Sequence, residues 1–146
     1  MKKRQKQGGV VKSWKVWNRI PNKPDACDCE AVEGDIVMKI DQIWCLCQRR
    51  GEANNLVAFV QPGKWKDYLS SLRAIFDFCY RLATKFGIRY VRIAGKPGCN
   101  QFLDRLFPGD VVRNPELING EVVRYMHFSD RAIKKFDILR HGKDKK

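Results

Sequence analysis

With 146 residues, 44% of them apolar, the chain has the length for one domain with a sizeable core and is too apolar to be wholly disordered. No apolar run approaches the roughly 20 residues of a membrane span, and the basic start has no apolar segment behind it, so neither an anchor nor a signal peptide is expected. A formal net charge of +13, from 29 basic and 16 acidic residues, draws polyanions such as nucleic acid, the alternative being basic tails that only aid solubility.

The charge gathers at the two ends. Residues 1–23 hold Lys2, Lys3, Arg4, Lys6, Lys12, Lys15, Arg19 and Lys23 with no acid, and residues 131–146 hold Arg131, Lys134, Lys135, Arg140, Lys143, Lys145 and Lys146. Both read as flexible basic arms flanking a single domain at 24–130. Val10, Val11, Trp14, Val16 and Trp17 interrupt the first arm. Trp14 and Trp17 are three apart, share one side of a helical turn, and are expected to dock on the domain. Aromatics among lysines also suit base stacking. Lys2, Lys3, Arg4, Lys6, Lys12 and Lys15 are the candidate polyanion ligands.

Residues 27–60 read as a strand meander. Glu33-Gly34-Asp35 turns a strand at 27–32 into one at 36–40, Asp41-Gln42 turns that into 43–48, and 51–55 is a polar loop before the apolar run 56–60. Pro62-Gly63 breaks the run. Trp65, Tyr68, Leu69, Leu72, Ile75, Phe76, Cys79, Leu82, Ala83 and Phe86 then recur every three or four residues, which predicts an amphipathic helix over 65–86 capped by Gly87. A strand follows at 89–94. Strand, crossover helix and strand make an α/β unit of the kind that positions ligands at strand ends. Residues 99–107 predict a short helix with Phe102, Leu103 and Leu106 inward, ended by Pro108-Gly109. Asn119-Gly120 joins strands at 111–118 and 121–128 into a hairpin, the first weakened by Pro115. The expected fold class is therefore α/β (α+β): a mixed sheet of about six to seven strands carrying one long and one short helix, with basic arms.

The chemistry-bearing residues are few. Cys27 and Cys29, like Cys45 and Cys47, are two apart and would share a strand face, so paired strands could bring four thiols together. An extended Cys-x-Cys sets its sulfurs about 6.5 Å apart, awkward for one zinc ion. Buried reduced thiols are the expected state, with Cys79 in the core and Cys99 starting the short helix. Asp25, Asp28, Glu30, Glu33 and Asp35 read as a solvated acidic rim without calcium-loop spacing. Of the two histidines, His127 alternates with Tyr125 along the last strand and His141 lies in the basic tail. No P-loop, dinucleotide, serine-hydrolase or zinc-protease motif occurs.

From Cys27 to Phe128 the order of elements resembles the GNAT fold of acyl-CoA N-acyltransferases, with Asn100, Phe102-Leu103 and Gly109 similar to that family's asparagine-led helix and closing glycine. It is similar too to small GNAT-like internal proteins of short-tailed phage virions, which have lost the chemistry. The resemblance implies that 56–60 is the central strand, that Phe59, Val60, Gln61, Gly63, Lys64 and Asn100 border the cofactor, and that the cofactor, if one is used, is acetyl-CoA. Two departures stand out. The pyrophosphate loop reads Gln61-Pro62-Gly63-Lys64-Trp65-Lys66, with one glycine missing and Pro62 lacking a donor. The position of the family's proton-donating tyrosine is Arg105, which stays protonated. The chain is therefore expected to be a non-catalytic GNAT-like protein with affinity for nucleic acid, another polyanion or a protein partner, in a host cytoplasm or virion. The alternatives are an active N-acyltransferase acting on an amine, with no catalytic residue assigned, and a small zinc-bearing nucleic-acid-binding module.

Overall fold

The computed structural model describes residues 13–24, 27–49, 54–60, 68–95, 100–112 and 116–141. In chain order these form α1 (Ser13–Arg19), β1 (Ile36–Ile40), β2 (Ile43–Gln48), β3 (Asn54–Val60), α2 (Tyr68–Phe86), β4 (Tyr90–Gly95), α3 (Phe102–Leu106), β5 (Glu116–Ile118), β6 (Glu121–His127) and α4 (Asp130–His141). The strands make one six-stranded mixed sheet ordered β1-β2-β3-β4-β6-β5. All neighbours are antiparallel except β3 and β4.

Local chemistry sets the turns. Asp41 takes φ 62 between β1 and β2, and Asn119 and Gly120 take φ 51 and 82 between β5 and β6. Two successive left-handed residues match the right-handed twist of a hairpin. Gly87, at φ 68, lets α2 end, and the Ile88 N–H donates back to the Leu82 carbonyl at 3.0 Å.

Strand alternation sends side chains to two faces. On one, Ile36, Ile43, Cys45, Cys47, Leu56, Val91 and Met126 meet Phe76, Phe78, Cys79, Leu82, Leu103, Phe107, Phe128 and Phe136 from α2, α3, α4 and their connections. On the other, Val37, Leu46 and Phe59 meet Trp17, Ile20, Cys27 and Ala31. Trp17 is fully buried, its ring edge-on to Phe59 at 5.5 Å. The expected docking of that segment is thus seen at α1.

The structure corrects several expectations. The segment 27–32 is not a strand. Its polar backbone groups are met by side chains: Asn18 donates to the Ala31 carbonyl at 2.9 Å and accepts from the Ala31 N–H at 2.8 Å. The Trp17 indole donates to the Cys29 carbonyl at 2.8 Å, and Gln48 donates to that of Glu30 at 2.9 Å. With those partners a ladder is not needed. Asp35 is not part of a solvated rim. It is buried, accepting from the Val32 and Arg49 N–H groups at 2.8 and 3.0 Å.

The expected basic tail is, over Asp130–His141, helix α4, because Ala132, Ile133, Phe136 and Leu139 put an apolar stripe between its charges. Among the described residues there are accordingly two helices beyond the long and short ones expected. Asn54 and Asn55 belong to β3 rather than to a loop. Of the expected first hairpin strand, the described residues form β5 at Glu116–Ile118, and Val111 makes an isolated bridge to Met126, while 113–115 lie outside the described residues. The buried stripe of α2 is broader than expected, adding Ala74 and Phe78, while Leu69 is exposed. No described helix is long and apolar enough to cross a membrane.

Candidate functional site

The parallel pair, alone of its kind among the described strands, defines the site. β3 and β4 are in register at Asn54 with Val91, Asn55 with Arg92 and Leu56 with Ile93. From Val57 onward β3 keeps pairing with β2 but has no partner on β4 among the described residues. The closed end is fastened by side chains. Asn54 donates to the Tyr90 carbonyl at 3.0 Å, and Asn55 accepts from Arg92 at 3.0 Å while donating to Gln48 at 2.8 Å. Beyond these fasteners the strands diverge.

A cavity of about 330 Å³ fills the gap. Leu56, Ala58, Leu72, Ile75, Phe76, Cys79, Ile93 and Phe102 wall it on the side of α2 and α3, all belonging to or packed on the larger core cluster. Val57, Arg92, Cys27 and Cys29 wall it on the side of α1. Residues of both parities along β3 and β4 line one cavity, so it passes between the strands from one face of the sheet to the other. The walls are mainly apolar and suit a slender, largely apolar ligand.

A buried polar cluster braces the far wall. Arg124 forks onto Asp104 at 3.3 and 2.8 Å and also donates to the Asn100 side-chain oxygen. The Asn100 amide donates to the Val122 carbonyl at 3.1 Å and to that of Ile93 at 3.4 Å. Asn100 and Arg124 are both buried. This ties the start of α3 to β4 and β6. A second buried acid, Asp110, accepts from Ser129 at 2.8 Å and from Arg131 at 3.0 Å, joining the loop after α3 to the start of α4.

The candidate residues divide as follows. Asn100 lines the cavity, but its amide is spent within the protein. Phe59 points to the opposite face, into the core around Trp17. Val60 packs on the larger core, outside the cavity lining. Of the described members of that set, Asn100 alone lines the cavity, and both its side-chain polar atoms are bonded within the protein. Gln61, Gly63, Lys64, Cys99, Lys2, Lys3, Arg4, Lys6 and Lys12 lie outside the described residues. Lys15 is exposed, with its ammonium 5.3 Å from the Trp14 ring centre.

The cysteine pairs do not converge. Cys45 and Cys47 pack beneath α2, whereas Cys27 and Cys29 lie on the α1 face. Burial pushes the Cys45 and Cys79 thiols well up and the Cys47 thiol up to about 12, so all three are held as neutral, unreactive S–H groups at neutral pH. Among the described residues no group of three or more metal-binding side chains is placed to hold an ion. Arg105 is exposed on α3 and His127 is exposed at the end of β6.

Sequence reasoning missed Asn54, Asn55, Arg92, Asp104 and Arg124. One signal was present for Arg124: it shares its strand parity with Val122 and Met126, which marks it as inward-facing. No family model matches the chain, and neither a curated protein nor a solved structure matches it.

Proposed function

We propose that the chain is a GNAT-like protein that acts as a binding protein for a polyanion rather than as an acyltransferase, in the phage particle or infected cell that the resemblance implies. The fold reading is supported by the run of elements: antiparallel meander, central strand, long helix, diverging parallel strand, short helix and hairpin. The observation that carries the non-catalytic reading is Arg105. By the resemblance it stands where the family's proton donor would be; it is exposed on α3 and is not among the residues lining the cavity. A permanently charged guanidinium supplies no proton to a leaving thiolate at neutral pH. The polyanion reading is supported by the net charge of +13.

The gap between β3 and β4 favours a second reading, an active N-acyltransferase with its amine acceptor near the divergence. Calorimetric titration with acetyl-CoA, followed by an acyl-transfer assay over a panel of amines, separates the two. The binding-protein reading expects no transfer; micromolar binding with turnover overturns it. Affinity for DNA or RNA is expected to fall steeply between about 50 and 200 mM salt. No binding at low salt overturns the polyanion reading.

A further inference from the structure

Three of the four tryptophans stand on the α1 face, each with a lysine ammonium near its ring. The distances to the ring centres are 5.3 Å for Lys15 and Trp14, 5.9 Å for Lys23 and Trp17, and 5.5 Å for Lys39 and Trp44. The middle pair is structural. Trp17 is fully buried, and Lys23 spends its ammonium on the Trp17 and Ile20 carbonyls at 3.1 and 3.0 Å. The other two pairs differ. Trp14 and Trp44 are half-buried at the border of the cluster around Trp17 and Phe59, and Lys15 and Lys39 are exposed. Lys39 sits directly across the ladder from Trp44, so both project to this face.

A half-exposed indole beside an exposed cation is the combination that holds single-stranded nucleic acid. The base stacks on the ring and the ammonium meets the phosphate. A duplex keeps its bases stacked inside and cannot use the rings. Residues 1–12 carry five cations and no acid, and they join the described chain at Ser13, beside Trp14. Arg19 adds a further exposed cation on α1, while the exposed acids Asp28 and Glu30 lie on the segment held by Trp17 and Asn18.

We propose that Trp14, Lys15, Lys39 and Trp44 form a platform that binds single-stranded nucleic acid by stacking. The proposal rests on the polyanion reading and narrows it to one partner. The test uses the full chain with a labelled short oligothymidine, a duplex of equal length and heparin. Single strand is expected to bind more tightly than duplex and to quench tryptophan fluorescence, whereas heparin binds without quenching. Trp44→Leu is expected to weaken single-strand binding about tenfold and leave heparin binding unchanged. Lys39→Ala is expected to flatten the salt dependence of single-strand binding by about 0.7 in log–log slope. If Trp44→Leu does not fold, Lys15→Ala with Lys39→Ala decides, since both side chains are exposed, and unchanged single-strand affinity in that variant overturns the platform. Equal affinity for oligothymidine and heparin without quenching overturns the platform and leaves the polyanion reading standing. No binding to any of the three overturns both.

Discussion

The two faces of the sheet are built by different means. The helix face is closed by aromatic packing: Phe136 lies 4.9 Å from Phe128, 5.0 Å from Phe107 and 6.0 Å from Phe76, ring centre to ring centre. Three helices converge there, and the apolar surface removed from water dominates its stability. The α1 face is covered by a seven-residue helix and a segment without regular structure, which close a smaller apolar cluster around Trp17 and Phe59 and add hydrogen bonds from Trp17, Asn18 and Gln48. A net hydrogen bond contributes only about 1 kcal/mol. The first face, with the larger cluster, is expected to dominate the stability of the sheet, and the second, with the smaller one, to open more readily. The cavity between β3 and β4 opens toward both.

The largest expected effect tests the helix face. Phe136→Ala removes the ring on which α2, α4 and the loop after α3 meet. It should cost about 3–5 kcal/mol, read as a large drop in the urea midpoint with loss of the whole cooperative transition's reserve. A loss below about 1 kcal/mol would mean that α4 is an appendage, as the composition of residues 131–146 suggests.

Trp17→Ala applies the same kind of truncation to the α1 face and should act more locally. Its ring contact with Phe59 and its bond to the Cys29 carbonyl both vanish. The loss to the global midpoint is limited by the free energy that holds α1 down, because a released segment costs the sheet nothing further. Hydrogen exchange should show it directly. The Ala31 amide, bonded to Asn18, is expected to exchange fast in the variant while the Met126 amide in β6 stays protected. Equal loss of protection at both sites would merge the two faces into one cooperative unit and break the comparison.

The same contrast explains what could be read from the sequence. Elements that satisfy their own backbone and bury one face leave a periodic signal, and β1, β2, β4, β6 and α2 were legible from it. Asn119-Gly120 was legible because its backbone conformation demands those residues. Residues 27–32 look strand-like, but their fate depends on Asn18 and Gln48, which lie 13 and 18 residues from their partners. α4 was hidden by its charges, although Ala132, Ile133, Phe136 and Leu139 held the helical spacing. In the cavity, the apolar walls Leu72, Ile75 and Phe76 followed from the stripe of α2. The fasteners Asn54, Asn55 and Arg92, and the brace of Arg124 with Asn100, are tertiary hydrogen bonds that no local pattern encodes.

The smallest expected effect concerns how α4 is held from outside the aromatic core. Arg140 donates to Asp77 on α2 at 2.9 Å and to Asp137 on its own helix at 2.9 Å, with its guanidinium 4.0 Å from the Tyr80 ring centre. His141 lies 3.5 Å from the same Asp137 carboxylate, and Arg81 engages Asp77 from the side. The Arg140 hydrogen bond, aided by the positive charges of Arg140 and His141, holds the Asp137 carboxyl below its ordinary value. A carboxylate with a depressed folded-state value binds protons less readily in the folded chain than in the unfolded one. Its contribution is therefore present above the ordinary aspartate value of about 3.9 and is lost as the pH falls through the lower folded-state value. Asp137→Asn should remove that contribution without disturbing Phe136. At neutral pH the variant should melt slightly below the parent chain, and the two should converge as the pH drops below about 4. The Asp137 side chain is about half exposed, so salt should shrink the difference as well. A gap that persists undiminished in acid would show that the substitution disturbs the packing of α4 rather than its charge, and would return this edge of the helix to the aromatic core.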